Sequence, residues 1–156
     1  SKTYGLAGAR IGFCIGNAEM VEKLAELKSN MDYGIFLPVQ KAAIAAITGD
    51  QSCVSSTREA YRRRRDCFCD GCTAIGWPVE RCPGTMFVWA KIPETYDSSA
   101  AFVQDLLERA GVLVTPGSAF GKSGEGYVRV ALVKDEEELS EAIGRMEKSG
   151  IFRRRA

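Results

Sequence analysis

The sequence predicts an α/β protein, and two observations carry that reading. From Gly84 onward the hydrophobic period switches in the order strand, helix, strand, strand, helix. That order makes a compact α/β unit of roughly 70 to 100 residues once the long helix before it packs on it. Before that helix, a lysine leads a glycine-punctuated turn, Ser1-Lys2-Thr3-Tyr4-Gly5-Leu6-Ala7-Gly8-Ala9-Arg10-Ile11-Gly12, which runs into an alternating segment and two helices. At 156 residues the chain can bury one real core, so one domain plus a remnant of another is expected. The turn Gly49-Asp50-Gln51-Ser52 is the candidate boundary, dividing residues 1–50 from residues 51–156.

Each element has a local reason. Arg10 to Ile15 alternates, with Ile11, Phe13 and Ile15 on one face, and reads as a strand. Asn17 is the expected cap of a helix whose stripe is Met20, Val21, Leu24 and Leu27, ending near Asn30. Pro38 suits the first position of an alanine-rich second helix that stops at Gly49. Two helices joined by the apolar loop around Tyr33 need something larger to pack on.

From Ser52 to Thr73 a sparse stripe of Tyr61, Phe68, Cys72 and Ile75 predicts a long, half-exposed helix that bridges domains. Met86 to Ile92 is a nearly continuous apolar strand closed by Pro93. Asp97 or Ser98 caps a helix over Phe102, Val103, Leu106, Leu107 and Ala110, which Gly111 ends. Val112-Leu113-Val114 reads as a short buried strand. Tyr127 to Leu132 alternates, with Val128, Val130 and Leu132 toward the core and Arg129 on the opposite face. Asp135 with Glu138 opens a last helix with the stripe Leu139, Ala142, Ile143 and Met146.

Composition excludes several function classes. Lysine and arginine number 21 against 20 aspartates and glutamates, so no global field draws the chain to nucleic acid or to a membrane, and an anion site must be local. Arg62 to Arg65 fall within one helical turn and point in all directions, a solvated surface paired with Glu59 and Asp66. There is neither an apolar run of about 20 residues nor a signal peptide, so a soluble, cytoplasmic protein is expected.

Cys67, Cys69 and Cys72 sit at helical steps of two and three, which turns Cys69 away from the other two. The chain has no histidine. No metal is expected, and the six cysteines read as reduced, small hydrophobes.

Lys2 with Arg10 eight positions on puts an amine and a guanidinium where they can meet one ligand. Glycines at 5, 8 and 12 let the backbone fold tightly around a phosphate. Alone, Lys2 is a solvated charge and Arg10 a surface salt bridge. Arg129 offers a planar fork that matches a carboxylate in two hydrogen bonds; the alternative is an ion pair with an acid on a neighbouring strand.

The string Ser1 to Phe13 resembles the lysine segment of the fold-type I, pyridoxal-phosphate-dependent aminotransferases of class I and II. Gly126-Tyr127-Val128-Arg129-Val130-Ala131 resembles that family's substrate-carboxylate strand. Gly84-Thr85-Met86-Phe87 is similar to its strand start, and Pro116-Gly117-Ser118-Ala119-Phe120-Gly121 to its loop beside the cleft.

The resemblance implies pyridoxal 5'-phosphate as cofactor, with Lys2 the catalytic lysine that joins its aldehyde. Ser1 and Arg10 would be its other ligands, and Arg129 the residue on the substrate's α-carboxylate. It implies amino-acid and 2-oxo-acid substrates, a homodimer, and a small domain with a mixed or antiparallel sheet and flanking helices following the end of the large cofactor domain. Tyr33 either lines a substrate pocket across the dimer interface or simply packs; Phe87 is either pocket wall or core.

Without an initiator methionine, and without the family's upstream cofactor ligands, the chain is read as a C-terminal fragment, itself inactive. The other reading is a catalytically silent α/β domain acting only in packing or dimerisation. The segments SNMDYGIFLPVQKAAIAAI, AIGWPVE and GTMFVWAKIP look most like bacterial diaminopimelate and alanine type aminotransferases.

Overall fold

A computed structural model describes residues 1–152. The chain divides into two compact units, Ser1–Arg58 and Glu59–Ala156.

The first unit is helical. Asn17 accepts a hydrogen bond from the Met20 amide at 3.2 Å and starts α1 (Ala18–Ser29), with Asn30 at its C-cap. Satisfying one otherwise orphaned amide is what makes asparagine an effective cap. Helix α2 (Leu37–Thr48) carries Pro38 in its first turn, one residue later than expected, and ends at Gly49, whose amide bonds Ala45 O at 2.9 Å. Met20, Leu24, Leu27, Met31, Phe36, Leu37, Ile44 and Ile47 remain exposed, so the apolar stripes find no cover.

The strand expected over Arg10 to Ile15 is not formed. Residues Ala7–Ala9 make a 3₁₀ turn and the following segment has no ladder partner, leaving Phe13 81% and Ile15 86% exposed. Alternation alone does not make a strand. Its amides and carbonyls need a neighbouring strand, and among the described residues the first unit has none.

Helix α3 (Ser52–Ala74) buries Phe68, Cys69 and Cys72 in the core of the second unit, with Tyr61 and Ile75 packed at its margin. A three-stranded antiparallel sheet follows, ordered β1-β3-β2, from β1 (Phe87–Lys91), β2 (Thr115–Pro116) and β3 (Tyr127–Ala131). Helix α4 (Ser99–Ala110) precedes β2 and α5 (Glu136–Ser149) follows β3. Ser98 and Asp135 cap them, accepting from Ala101 N at 3.2 Å and Glu138 N at 2.9 Å.

The ladder sits three residues later than the apolar run Val112-Leu113-Val114 suggests. Thr115 and Pro116 pair with Arg129 and Val128, while Leu113 is 72% exposed. Pro116 has no amide to donate, which keeps β2 to two residues.

Pleating gives the sheet two faces. Val88, Ala90, Val128 and Val130 are buried against Phe102, Leu106, Ile143 and Met146. Fully burying a side chain of this size contributes about 1.5–3 kcal/mol. Phe87, Trp89, Lys91, Tyr127 and Arg129 occupy the other face. Trp77 closes the core edge, stacked on Phe152 at 5.0 Å, edge-on to Phe102 at 5.5 Å, and donating its Nε1 hydrogen to Lys91 O at 2.8 Å. A Cβ at Gly71 would meet Ile143 Cδ1 at 2.6 Å, so the end of the Ile143 side chain packs directly over the α3 backbone there.

The arginine run is paired surface. Arg62 bonds Glu59, Arg63 bonds Glu136 at 2.9 Å and Arg65 bonds Asp66, whose carboxyl is held below its ordinary range first by Arg65 and also by Arg81. Cys69 and Cys72 lie in the core, where burial pushes both thiols up. Cys67 bonds Glu136 O and lies 3.5 Å from the Ser140 hydroxyl. Among the described residues no helix is long and apolar enough to cross a membrane.

Candidate functional site

In the first unit the turn carrying Lys2 is tied down by one side chain. The Tyr4 hydroxyl donates to Gln51 Oε1 at 2.9 Å, and Gln51 Nε2 in turn donates to Ala46 O at 3.0 Å and Gly49 O at 2.8 Å, anchoring the turn to the end of α2. Ser1 and Lys2 are exposed, and Lys2 has no ion pair among the described residues, so the desolvation a reactive lysine needs is not supplied by this unit.

Arg10 sits in the left-handed region at φ 52° as the 3₁₀ turn ends, with Nη1 donating to Ala7 O at 3.0 Å. It forms no salt bridge among the described residues. Tyr33 is fully exposed, in a loop pinned by Gly34 N donating to Asp32 Oδ1 at 3.0 Å.

This donor set fits an aldehyde-bearing phosphate ester. The amine of Lys2 and the remaining guanidinium donors of Arg10 face solvent, and a Cβ built at Gly5, Gly8 or Gly12 would meet nothing within 4 Å.

In the second unit the site is built on β3. The strand's alternation puts Arg129 on the open face, directly across from Trp89 on β1 and Thr115 on β2. Its guanidinium carbon lies 4.4 Å from the Phe87 ring centroid and 4.3 Å from that of Phe120, in the 3₁₀ turn Gly117–Phe120. Arg129 Nε is buried without a hydrogen-bond partner, and no acid among the described residues pairs with the side chain. The neighbouring-strand ion pair, the bland alternative for this arginine, is therefore not what the fold builds. A guanidinium with no acid beside it and aromatic rings around it has the chemistry to take an external anion.

Phe87 belongs to this face and not to the core, whose adjacent position is filled by Val88. Sequence reasoning missed the rest of the aromatic cluster. Trp89 meets Phe120 edge-on at 5.8 Å and stacks on Tyr127 at 5.8 Å and 17°. The signal was present in the alternation of Phe87, Trp89 and Lys91, but hidden by reading Met86 to Ile92 as one continuous apolar run. A groove of about 720 Å³ whose walls include Trp77, Trp89, Lys91, Glu94, Tyr127 and Phe152 does not include Arg129.

Comparison with known proteins gives this arrangement its context. The family model described as aminotransferase class I and II matches residues 1–146. The LL-diaminopimelate aminotransferase of Gloeobacter violaceus is 42% identical over 151 residues, 97% of this chain and 38% of that protein. The glutamate-pyruvate aminotransferase AlaC of Escherichia coli is 48% identical over 145 residues, 92% of this chain and 35% of that protein.

Among solved structures, the aromatic aminotransferase of Pyrococcus horikoshii superposes with a TM-score of 0.88 at 32% identity, covering 96% of this chain and 41% of the other. BacF of Bacillus subtilis gives 0.86 at 38% identity, covering 94% and 38%. The chain thus spans about 38% of the length of the first of these relatives. On the family match and these identities, the chain belongs to the class I and II aminotransferases, a pyridoxal-phosphate-dependent family of the fold-type I architecture.

Proposed function

We propose that the protein to which this chain belongs moves an amino group between an amino acid and a 2-oxo acid. The reading is carried by Arg129, an uncompensated guanidinium on an aromatic-lined face. In it, Arg129 holds the substrate's α-carboxylate through two parallel hydrogen bonds, which fixes the α-carbon in orientation. Arg10, with Ser1, takes the phosphate of pyridoxal 5'-phosphate, and Lys2 takes its aldehyde.

When bound, the cofactor supplies the electron sink for carbanion chemistry. With the cofactor held there, the neutral Lys2 amine would take the proton from the substrate α-carbon as general base and later give it up as general acid. Phe87 contributes a wall of the carboxylate site, and Tyr33 lines a substrate pocket in a homodimer.

For substrate we propose an amino acid of the diaminopimelate or alanine type; the relatives above are named for LL-diaminopimelate and for the glutamate-pyruvate pair. The exposed apolar residues of α1, α2 and the loop between them favour a second statement about the chain by itself. Without the surfaces those side chains pack on, the 156-residue chain is catalytically silent.

The test is amino transfer by the whole protein, loaded with pyridoxal phosphate, from alanine, glutamate and LL-diaminopimelate to pyruvate or 2-oxoglutarate. Lys2→Ala is expected to lose at least about 100-fold in turnover, and Arg129→Lys to raise KM for both substrate classes. Undiminished turnover in Lys2→Ala would overturn the assignment.

A further inference from the structure

The carboxylate role of Arg129 leaves open what holds its guanidinium in place, since no acid among the described residues does so. Resting on that role, we propose that Phe120 is a positioning residue that closes Arg129 Nε from solvent and presents the two Nη groups as the only open edge for a carboxylate.

Three observations converge on Phe120. Its ring centroid is 4.3 Å from the guanidinium carbon, although the residue itself is 49% exposed and makes no contribution to the core. Trp89 butts against the ring and is itself braced by the stack on Tyr127, so the side directly across from Arg129 is filled. The Nε atom is buried with no partner, a condition that carries the desolvation cost of an unmet donor and so persists only where packing imposes it.

The loop bearing Phe120 is locked from beneath. The wholly buried Ser99 donates its hydroxyl hydrogen to Ser118 Oγ at 3.2 Å. Gly117 and Gly124 pack backbone to backbone so closely that a Cβ at Gly117 would stand 2.0 Å from Gly124 O. Glu125 closes the far end by accepting from the amides of Ser99 and Gly126 at 2.5 and 3.0 Å. A loop of glycines, serines and alanine has no hydrophobic reason to hold one phenylalanine half in water. Over Arg129 the ring acquires one, because it limits the rotamers of a side chain that must otherwise be ordered when the carboxylate arrives.

Nuclear magnetic resonance of the chain, with the arginine Nε–H signals assigned and a carboxylate (2-oxoglutarate) titrated in, tests this. The expected result is slow Nε–H exchange at Arg129, accelerated tenfold or more in Phe120→Ala, with the carboxylate Kd rising roughly 2- to 12-fold. Phe120→Tyr, which keeps the ring, should restore both. Gly117→Ala, which shifts the loop but retains the ring, should speed exchange as Phe120→Ala does.

If Phe120→Ala leaves exchange and affinity unchanged while Arg129→Gln abolishes the carboxylate response, Phe120 positions nothing and the proposal falls alone. If Arg129→Gln leaves the carboxylate response intact, the carboxylate role of Arg129 falls and takes this proposal with it.

Discussion

Replacing Phe102 by alanine tests whether one aromatic cluster holds the sheet that presents Arg129. Phe102 is wholly buried on α4, with ring centroids of Tyr96 at 5.2 Å, Trp77 at 5.5 Å and Phe152 at 6.1 Å. Truncating a buried phenylalanine costs about 3–5 kcal/mol, the transfer term plus the cavity left behind. Three ring partners, each with a geometric preference of about 0.5–1.5 kcal/mol, place this site in the upper half of that range.

A domain of this size has about 5–15 kcal/mol in total, so the variant should lose about a quarter or more of its stability. Urea unfolding followed by tryptophan fluorescence reads the change directly, because Trp77 lies against the deleted ring. A fall in the midpoint with unchanged slope, equivalent to about 4 kcal/mol, is expected. A loss under about 1 kcal/mol would show that α4 is not packed through Phe102, and the placement of the sheet would fall with it.

Two pH effects follow from named groups. Glu125 is held below the usual glutamate value of 4.5, first by the Ser99 amide and then by that of Gly126. A lowered carboxyl stabilises the fold above its unfolded value and stops doing so as pH falls through the folded one. The native chain should therefore gain over Glu125→Gln above pH 4.5 and converge with it in acid, as read by urea midpoints across pH; parallel curves would contradict the backbone-bonded carboxylate.

Tyr96 is pushed up to about 12, first by burial and then by its hydrogen bond to Asp105. A raised phenol favours the neutral form, so its stabilisation is present below the ordinary value of 10.0 and is lost as pH climbs from there through 12. Tyr96→Phe should remove that alkaline slope, and an unchanged slope would place the titration elsewhere.

What the sequence made legible was whatever is decided locally. Asn17, Ser98 and Asp135 each announce a helix because the side chain that caps and the amide it satisfies lie within three residues. Arg129 could be assigned to the open face from alternation alone, since its neighbours Val128 and Val130 had to share the other.

Non-local pairing was not legible. Arg10 to Ile15 carries a strand pattern without a strand to pair with in its unit, and the Val112 to Val114 run is apolar although the ladder with β3 begins only at Thr115. The position of Phe120 depends on contacts between Gly117 and Gly124 and between Ser99 and Ser118, which no spacing in the sequence signals. Phe87 is ambiguous for a different reason: Met86 to Ile92 is apolar on both faces, so its alternation does not say which face is buried until β1 pairs with β3 and puts Val88 and Ala90 inside.

The covalent position of the cofactor is the most direct test of the proposed chemistry. The whole protein is incubated with pyridoxal 5'-phosphate, reduced with borohydride, digested and mapped by mass spectrometry. The expected result is a stable cofactor adduct on the peptide bearing Lys2, displaced by prior addition of an amino-acid substrate and absent from Lys2→Ala. An adduct confined to other lysines, or one on Lys2 that substrate does not displace, would contradict it.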